Sequence, residues 1–209
     1  MFVLLTGNRG YIGSVLSAML MEAGHVVIGM DSDLYRSCSF GEDPPDIPTC
    51  IKDIRDADIS DMRGFDAVIH MAGLSNDPLG FLNPEITDEI NHQASVHLAQ
   101  LAKAAGIRRF LFSSTCSVYG AAGETMLSET SSLNPVTPYA ESKAAAEQEI
   151  MALADESFFP TILRNATAYG YSPRLRFDLV LNNLTAWAYA TGKVRLKSDG
   201  SSIRPIVHV

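Results

Sequence analysis

The sequence predicts an α/β protein built on a doubly wound parallel sheet, and three observations carry that prediction. The N-terminus, FVLLTGNRGYIGSVLSAMLMEAGHVVIGMD, reads as strand, glycine turn, helix, strand. Strand-like and helical stretches then keep alternating as far as PTILRNAT, a pattern that implies parallel strands covered by helices on both faces. Gly7, Asp31, Gly73 and Thr115 all fall at the carboxyl ends of predicted strands, where such sheets bind ligands.

In the first unit, Gly7, Gly10 and Gly13 form a G-x-x-G-x-x-G series between the strand and the helix. Glycine permits a tight turn and lets backbone N–H groups approach a pyrophosphate, while the following helix offers its positive end to the anion. Gly13 would let helix and strand pack closely. Asp31 closes the second strand, VVIGMD, 18 residues beyond Gly13. A carboxylate there accepts ribose hydroxyls and repels a 2′-phosphate, which favours NAD over NADP. Arg36, a few residues on, is an arginine that could meet a 2′-phosphate.

The next elements are a short strand at TCIK (49–52), a fourth at FDAVIHMAG, and a helix over roughly 84–105. GEDPPDIP, with three prolines in eight residues, reads as a surface loop. RRFLFSST is the fifth strand. Pro138 in the first turn starts a helix running to about 156, and PTILRNAT is the sixth strand. After Gly170 a helix and two short strand-like runs around SDG are expected.

Tyr139 and Lys143 are four apart in TPYAESK, so on a helix they share a face. A free phenol has a pKa of about 10, and a nearby ammonium favours its ionised form. Thr115, 24 residues upstream at the end of a strand, can hold a substrate alcohol while the phenol takes its proton. The three together describe a device for oxidising an alcohol. YxxxK alone is also what an ordinary exposed helix carries, and the glycine series upstream gives it meaning.

At 209 residues there is room for one domain with an ample core, and 46% apolar residues is ordinary for a globular protein. A net charge of −8 argues against nucleic-acid binding. No stretch approaches the ~18 uninterrupted apolar residues of a membrane helix, and the N-terminus lacks a signal peptide's charged start. Cys38, Cys50 and Cys116 form no C-x-x-C, which fits reduced thiols in a cytoplasm. No metal site is expected: His92 and His97 are five apart, on different helix faces, and His70 reads as structural.

With both ends of the device in hand, the chain resembles the extended short-chain dehydrogenase/reductases of the NAD-dependent epimerase/dehydratase group, which act on nucleotide sugars. The resemblance rests on TGNRGYIG, Asp31, KDIRD, HMAG, FSSTCSVYG, PYAESK, LRNATAYG and RPIVHV, and covers nearly the whole chain. It implies a Rossmann-like NAD-binding domain over 1–170 and the start of a substrate-binding part over 171–209. It implies a catalytic trio of Thr115, Tyr139 and Lys143. By the same likeness Gly7, Gly10, Tyr11, Ile12, Gly13, Asp31, Asp53, Ile54, Ala72 and Gly73 hold NAD together with Tyr139 and Lys143, with Asp53 and Ile54 bordering the adenine. Cys116, Ser117, Thr167 and Arg204 would face a nucleotide-sugar substrate. Arg174 and Arg176 are either further diphosphate ligands or a solvated face.

The resemblance also bears on the reaction. Relatives that remove water across C5 and C6 carry Asp-Glu after the catalytic Thr, one group to protonate the leaving hydroxyl and one to take the C5 proton. Here Cys116 and Ser117 stand there, which favours C4 epimerisation through a transient 4-keto sugar. Some relatives that epimerise C3 or C5 use a Cys, but one position later. A 4,6-dehydratase, a 3/5-epimerase or reductase, and a catalytically silent NAD-binding sensor are the alternatives. Thr167 stands where many relatives carry a substrate-holding Asn. The likeness further implies a homodimer through helices 84–105 and 138–156. Because the chain stops at Val209 inside the terminal motif, it reads as truncated, with much of the sugar pocket beyond it.

Overall fold

The computed structural model describes residues 1–209 except Pro45, 121–125, Lys197 and Ser202, and excepting the side chain of Asp77. Six parallel strands form the main sheet: β1 (Phe2–Thr6), β2 (Val26–Asp31), β3 (Thr49–Ile51), β4 (Ala67–His70), β5 (Arg109–Thr115) and β6 (Phe159–Asn165). Their spatial order is β3-β2-β1-β4-β5-β6. The order reverses between β1 and β4, which opens a crevice at the carboxyl ends of those strands. A separate parallel pair joins β7 (Thr167–Tyr169) to β8 (Ile206–His208).

Because side chains alternate across a strand, neighbours in the central strands serve opposite layers. Leu4 and Val68 point into the larger core with Met30, Phe110, Phe112 and Ile150, whereas Leu5 and Ile69 meet Val27 and Leu16 on the other face. The larger core lies under α4 (Ala94–Ala104) and α5 (Pro138–Ala152), the smaller one under α1 (Tyr11–Glu22).

The helix expected over 84–105 is α3 (Pro84–Asp88), a π-helical turn (Glu89–Gln93) and α4. A short helix unmarked in the sequence pattern, α2 (Asp77–Leu82), precedes it, capped by Asn76 with Pro in its first turn. The helix expected to reach 156 stops at Ala152, because the Asp155 carboxylate accepts the N–H groups of Ser157 and Phe158 and turns the chain so that Phe158 is buried. α6 (Val180–Thr191) is the helix expected after Gly170. Only the second of the two later strand-like runs is a strand among the described residues, and Lys197 of the first lies outside them. The proline-rich loop, apart from Pro45, carries no helix or strand.

Candidate active site

The loop between β1 and α1 is shaped for a ligand's close approach. Gly7 has φ +72°, and a Cβ there would lie 2.7 Å from the backbone nitrogen of Ala72. At Gly13 a Cβ would come 2.0 Å from the Gly7 carbonyl oxygen, so only glycine lets α1 pack this tightly on the loop. Gly10 caps α1 without a side chain, leaving the first-turn N–H groups of Tyr11, Ile12 and Gly13 facing the crevice with the positive end of the helix. The phenol of Tyr11 is used elsewhere: it donates to Gly170 O at 2.9 Å and accepts from Asn182 at 3.2 Å.

Asp31 ends β2, and its two oxygens accept the N–H groups of Arg9 (3.0 Å) and Asp33 (2.8 Å). Asp53 lies at the outer end of β3, where its carboxylate accepts three N–H groups of Arg55, which hold it below the usual aspartate range. Ile54 is buried in the core beside it. A dinucleotide needs a side-chain-free loop, open N–H groups at a helix end and a carboxylate at the second strand, and these residues supply all three.

Ala72 and Gly73 are positioned by a buried polar chain that no local sequence pattern marks. The Thr6 hydroxyl accepts from Met71 N and Ala72 N (3.2 Å each), so it donates its own proton to His70 Nδ1 at 2.6 Å. His70 Nε2 then donates to Ser95 Oγ at 2.8 Å, and Ser95 to the Asn91 carbonyl at 2.8 Å. Burial, with the charge of Lys143, depresses the His70 pKa to about 3, in keeping with a neutral ring. Asn91, in the π-helical turn, clamps Leu74 N and O at 2.8 and 2.9 Å. His70 is thus structural.

Lys143 on α5 is buried, donates to Ser113 O at 2.9 Å and lies 4.4 Å from the Phe112 ring centroid. A Cβ on Gly73 would be 3.5 Å from its ammonium, so α5 and the β4 loop meet here. Burial lowers its pKa to about 8, opposed by Glu147. Tyr139, one turn earlier, sits in the first turn of α5, close enough to Arg176 for phenol and guanidinium to interact electrostatically. Thr115 Oγ1 accepts from Ser117 N and donates to Ser117 Oγ, both at 3.1 Å, capping the 3-10 turn of Cys116–Tyr119. Burial pushes the Cys116 thiol up, with the charge of Arg204 working the other way.

Thr167 N donates to Pro205 O at 3.1 Å, which sets Arg204 beside β7 and near Cys116. The other two arginines are committed. Arg174 is buried and binds Arg36 O (3.2 Å) and Ser39 Oγ (2.6 Å), so it is neither a solvated charge nor a free diphosphate ligand. Arg176 bonds Ser75 and forms an ion pair with Asp178 at 2.5 Å. His92 bonds Asp88 and Glu149 and His97 bonds Ala57 O, so neither serves this crevice. No helix among the described residues is long and apolar enough to cross a membrane.

The chain is similar in sequence and fold to known proteins. A UDP-glucose 4-epimerase of Streptomyces lividans is 33% identical over 153 residues, which are 70% of this chain and 46% of that protein. The structure of an NAD-dependent NDP-hexosamine 5,6-dehydratase, TunA, involved in tunicamycin biosynthesis, matches 99% of this chain and 67% of its own, with 26% identity and a TM-score of 0.88. MoeE5 in complex with UDP-glucose and NAD matches 100% of this chain and 68% of its own, with 27% identity and a TM-score of 0.84. The chain therefore spans about half to two thirds of the length of these proteins. Residues 3–209 match the family model itself, and the chain belongs to the NAD dependent epimerase/dehydratase family.

Proposed function

We propose that this chain carries the cofactor-binding part and catalytic trio of a nucleotide-sugar epimerase that inverts C4 through a transient 4-keto sugar. The observation that carries this reading is the pair after Thr115. Neither Cys116 nor Ser117 is a carboxylate, the Cys116 thiol is held in its neutral form by burial, and Ser117 is tied to Thr115. Elimination of water needs both an acid and a base at adjacent carbons, and a neutral thiol beside a tied serine hydroxyl supplies no base. The similarity to a UDP-glucose 4-epimerase supports the same choice.

In this reading Gly7, Gly10, the first-turn N–H groups of Tyr11, Ile12 and Gly13, Asp31, Asp53, Ile54, Ala72 and Gly73 hold NAD, with Tyr139 and Lys143 at its reactive end. Bound NAD supplies the hydride acceptor, and afterwards the donor. Thr115 orients the C4 hydroxyl, Tyr139 takes its proton, and the Lys143 ammonium, still mostly charged at pH 7 with a pKa of about 8, favours the ionised phenol. Ser117, Cys116, Thr167 and Arg204 border the sugar nucleotide. The enzyme works in the cytoplasm as a homodimer whose contact would cover exposed Phe81, Leu82, Ile86 and Met151 on α2, α3 and α5. Sedimentation across a concentration series tests the dimer.

The reaction is tested by giving nucleotide hexoses to an enzyme containing this chain in deuterated water. The expected product is an isomer of equal mass, without net NADH and without deuterium at C4. Loss of water with deuterium at C5 would instead reveal a dehydratase, and deuterium at C3 or C5 without mass loss would place Cys116 at carbon. Tyr139→Phe should lower turnover by at least about a hundredfold and leave NAD affinity nearly unchanged.

A further inference from the structure

We propose that Asp33 is a specificity residue of the cofactor groove: it engages the two arginines nearest the end of β2 and so removes a site for a 2′-phosphate. The proposal rests on reading this crevice as the NAD site, and it adds a second carboxylate to the discrimination expected of Asp31.

Asp31 itself is held by two backbone N–H groups, which orient it but leave the surrounding positive charge untouched. That charge is considerable. Arg9 stands in the glycine loop, Arg36 follows β2, and the amino end of α1 adds its partial positive charge. Guanidinium groups beside a glycine loop at a helix amino end are what a phosphate prefers.

Asp33 cancels this preference. It is the non-glycine residue with positive φ (55°) among those described, so the chain turns sharply at this position and brings its carboxylate to the arginines. Its Oδ2 lies 2.6 Å from Arg9 Nη1 and 4.0 Å from Arg36 Nε. The side chain is only 9% exposed. Its other oxygen, Oδ1, is buried and has no hydrogen-bond partner. A strained backbone and an acceptor without a donor are both costly, and neither serves the core. Together they describe a site completed by a ligand's hydroxyl and closed to a phosphate, which would meet a buried negative charge.

Titrating NADH and NADPH into the unmodified protein, Asp33→Asn and Asp33→Gly tests this directly. Both substitutions tolerate the left-handed backbone, so the turn survives. The expected result is that NADPH affinity rises relative to NADH affinity by about tenfold or more in each variant. The NADPH gain should weaken with salt and vanish in Asp33→Asn combined with Arg9→Gln, because Arg9 is the released cation. An unchanged NADPH-to-NADH ratio in variants that still bind NADH would overturn the proposal and leave the groove assignment standing. If no folded form binds either dinucleotide, and Asp31→Ala behaves no differently, the groove assignment falls and this proposal with it.

Discussion

Residues 1–165 and residues 171–209 are held by different forces. The first region rests on two layers of side chains, with Leu5, Val68, Phe110, Phe112 and Phe158 fully buried. In the second, α6 buries no residue, Trp187 and Tyr189 are 53% and 95% exposed, and among the described residues β8 pairs only with β7. What attaches this region is a row of hydrogen bonds to the cofactor loops. Ser172 bonds Ser14 and Tyr11 O, Asn182 bonds Tyr11, Arg174 reaches the segment after β2, and Arg176 reaches the segment after β4. The first region thus holds the apolar cores, whereas the segment beyond Gly170 takes its position from the loops that line the crevice.

The largest test of that contrast is Phe110→Ala. Truncating a fully buried aromatic should destabilise the protein by about 3–5 kcal/mol, read by chemical denaturation, and should unfold both regions together. An intermediate effect is expected at Lys143. Its folded pKa of about 8 lies below the ordinary lysine value of 10.5, so the unfolded chain binds the proton more tightly. The resulting cost, on the order of 3 kcal/mol, is fully present below pH 8 and is relieved as pH rises towards 10.5. Lys143→Met should therefore melt no lower than the unmodified protein at pH 7, lose that advantage by pH 10, and show little turnover at any pH. A variant clearly less stable at pH 7 would mean that the ammonium's bond to Ser113 and its contact with Phe112 outweigh its burial.

The smallest effect is predicted for Tyr11→Phe. Losing bonds to Gly170 and Asn182 should cost about 1 kcal/mol, with hydrogen exchange accelerating in 171–191 and unchanged in β1, β4 and β5. Uniform acceleration would erase the distinction between the two regions.

How far these features can be read from sequence follows the same division. Gly7, Gly10, Gly13 and Asp31 are legible because their roles depend on spacing within one strand-turn-helix-strand unit. Tyr139 and Lys143 are legible because a helix fixes their common face. Thr6, Asn91 and Asp33 are not, since each acts on a partner that only the fold brings near: His70 and Ala72, Leu74, and Arg9. The end of α5 is not legible for a related reason. ADES carries no glycine or proline to stop a helix, and the stop comes from Asp155 capturing backbone N–H groups as Phe158 enters the core.

Behind the trio, Glu147 on α5 is nearly buried and accepts from Ser114 and from Arg164, which pairs with it at 2.7 Å and also reaches the Tyr119 hydroxyl. Removing one partner would strand a charge in the interior, although a well-packed apolar replacement of the whole group could be tolerated. Any single substitution at these positions therefore meets a barrier that a joint, well-packed replacement avoids.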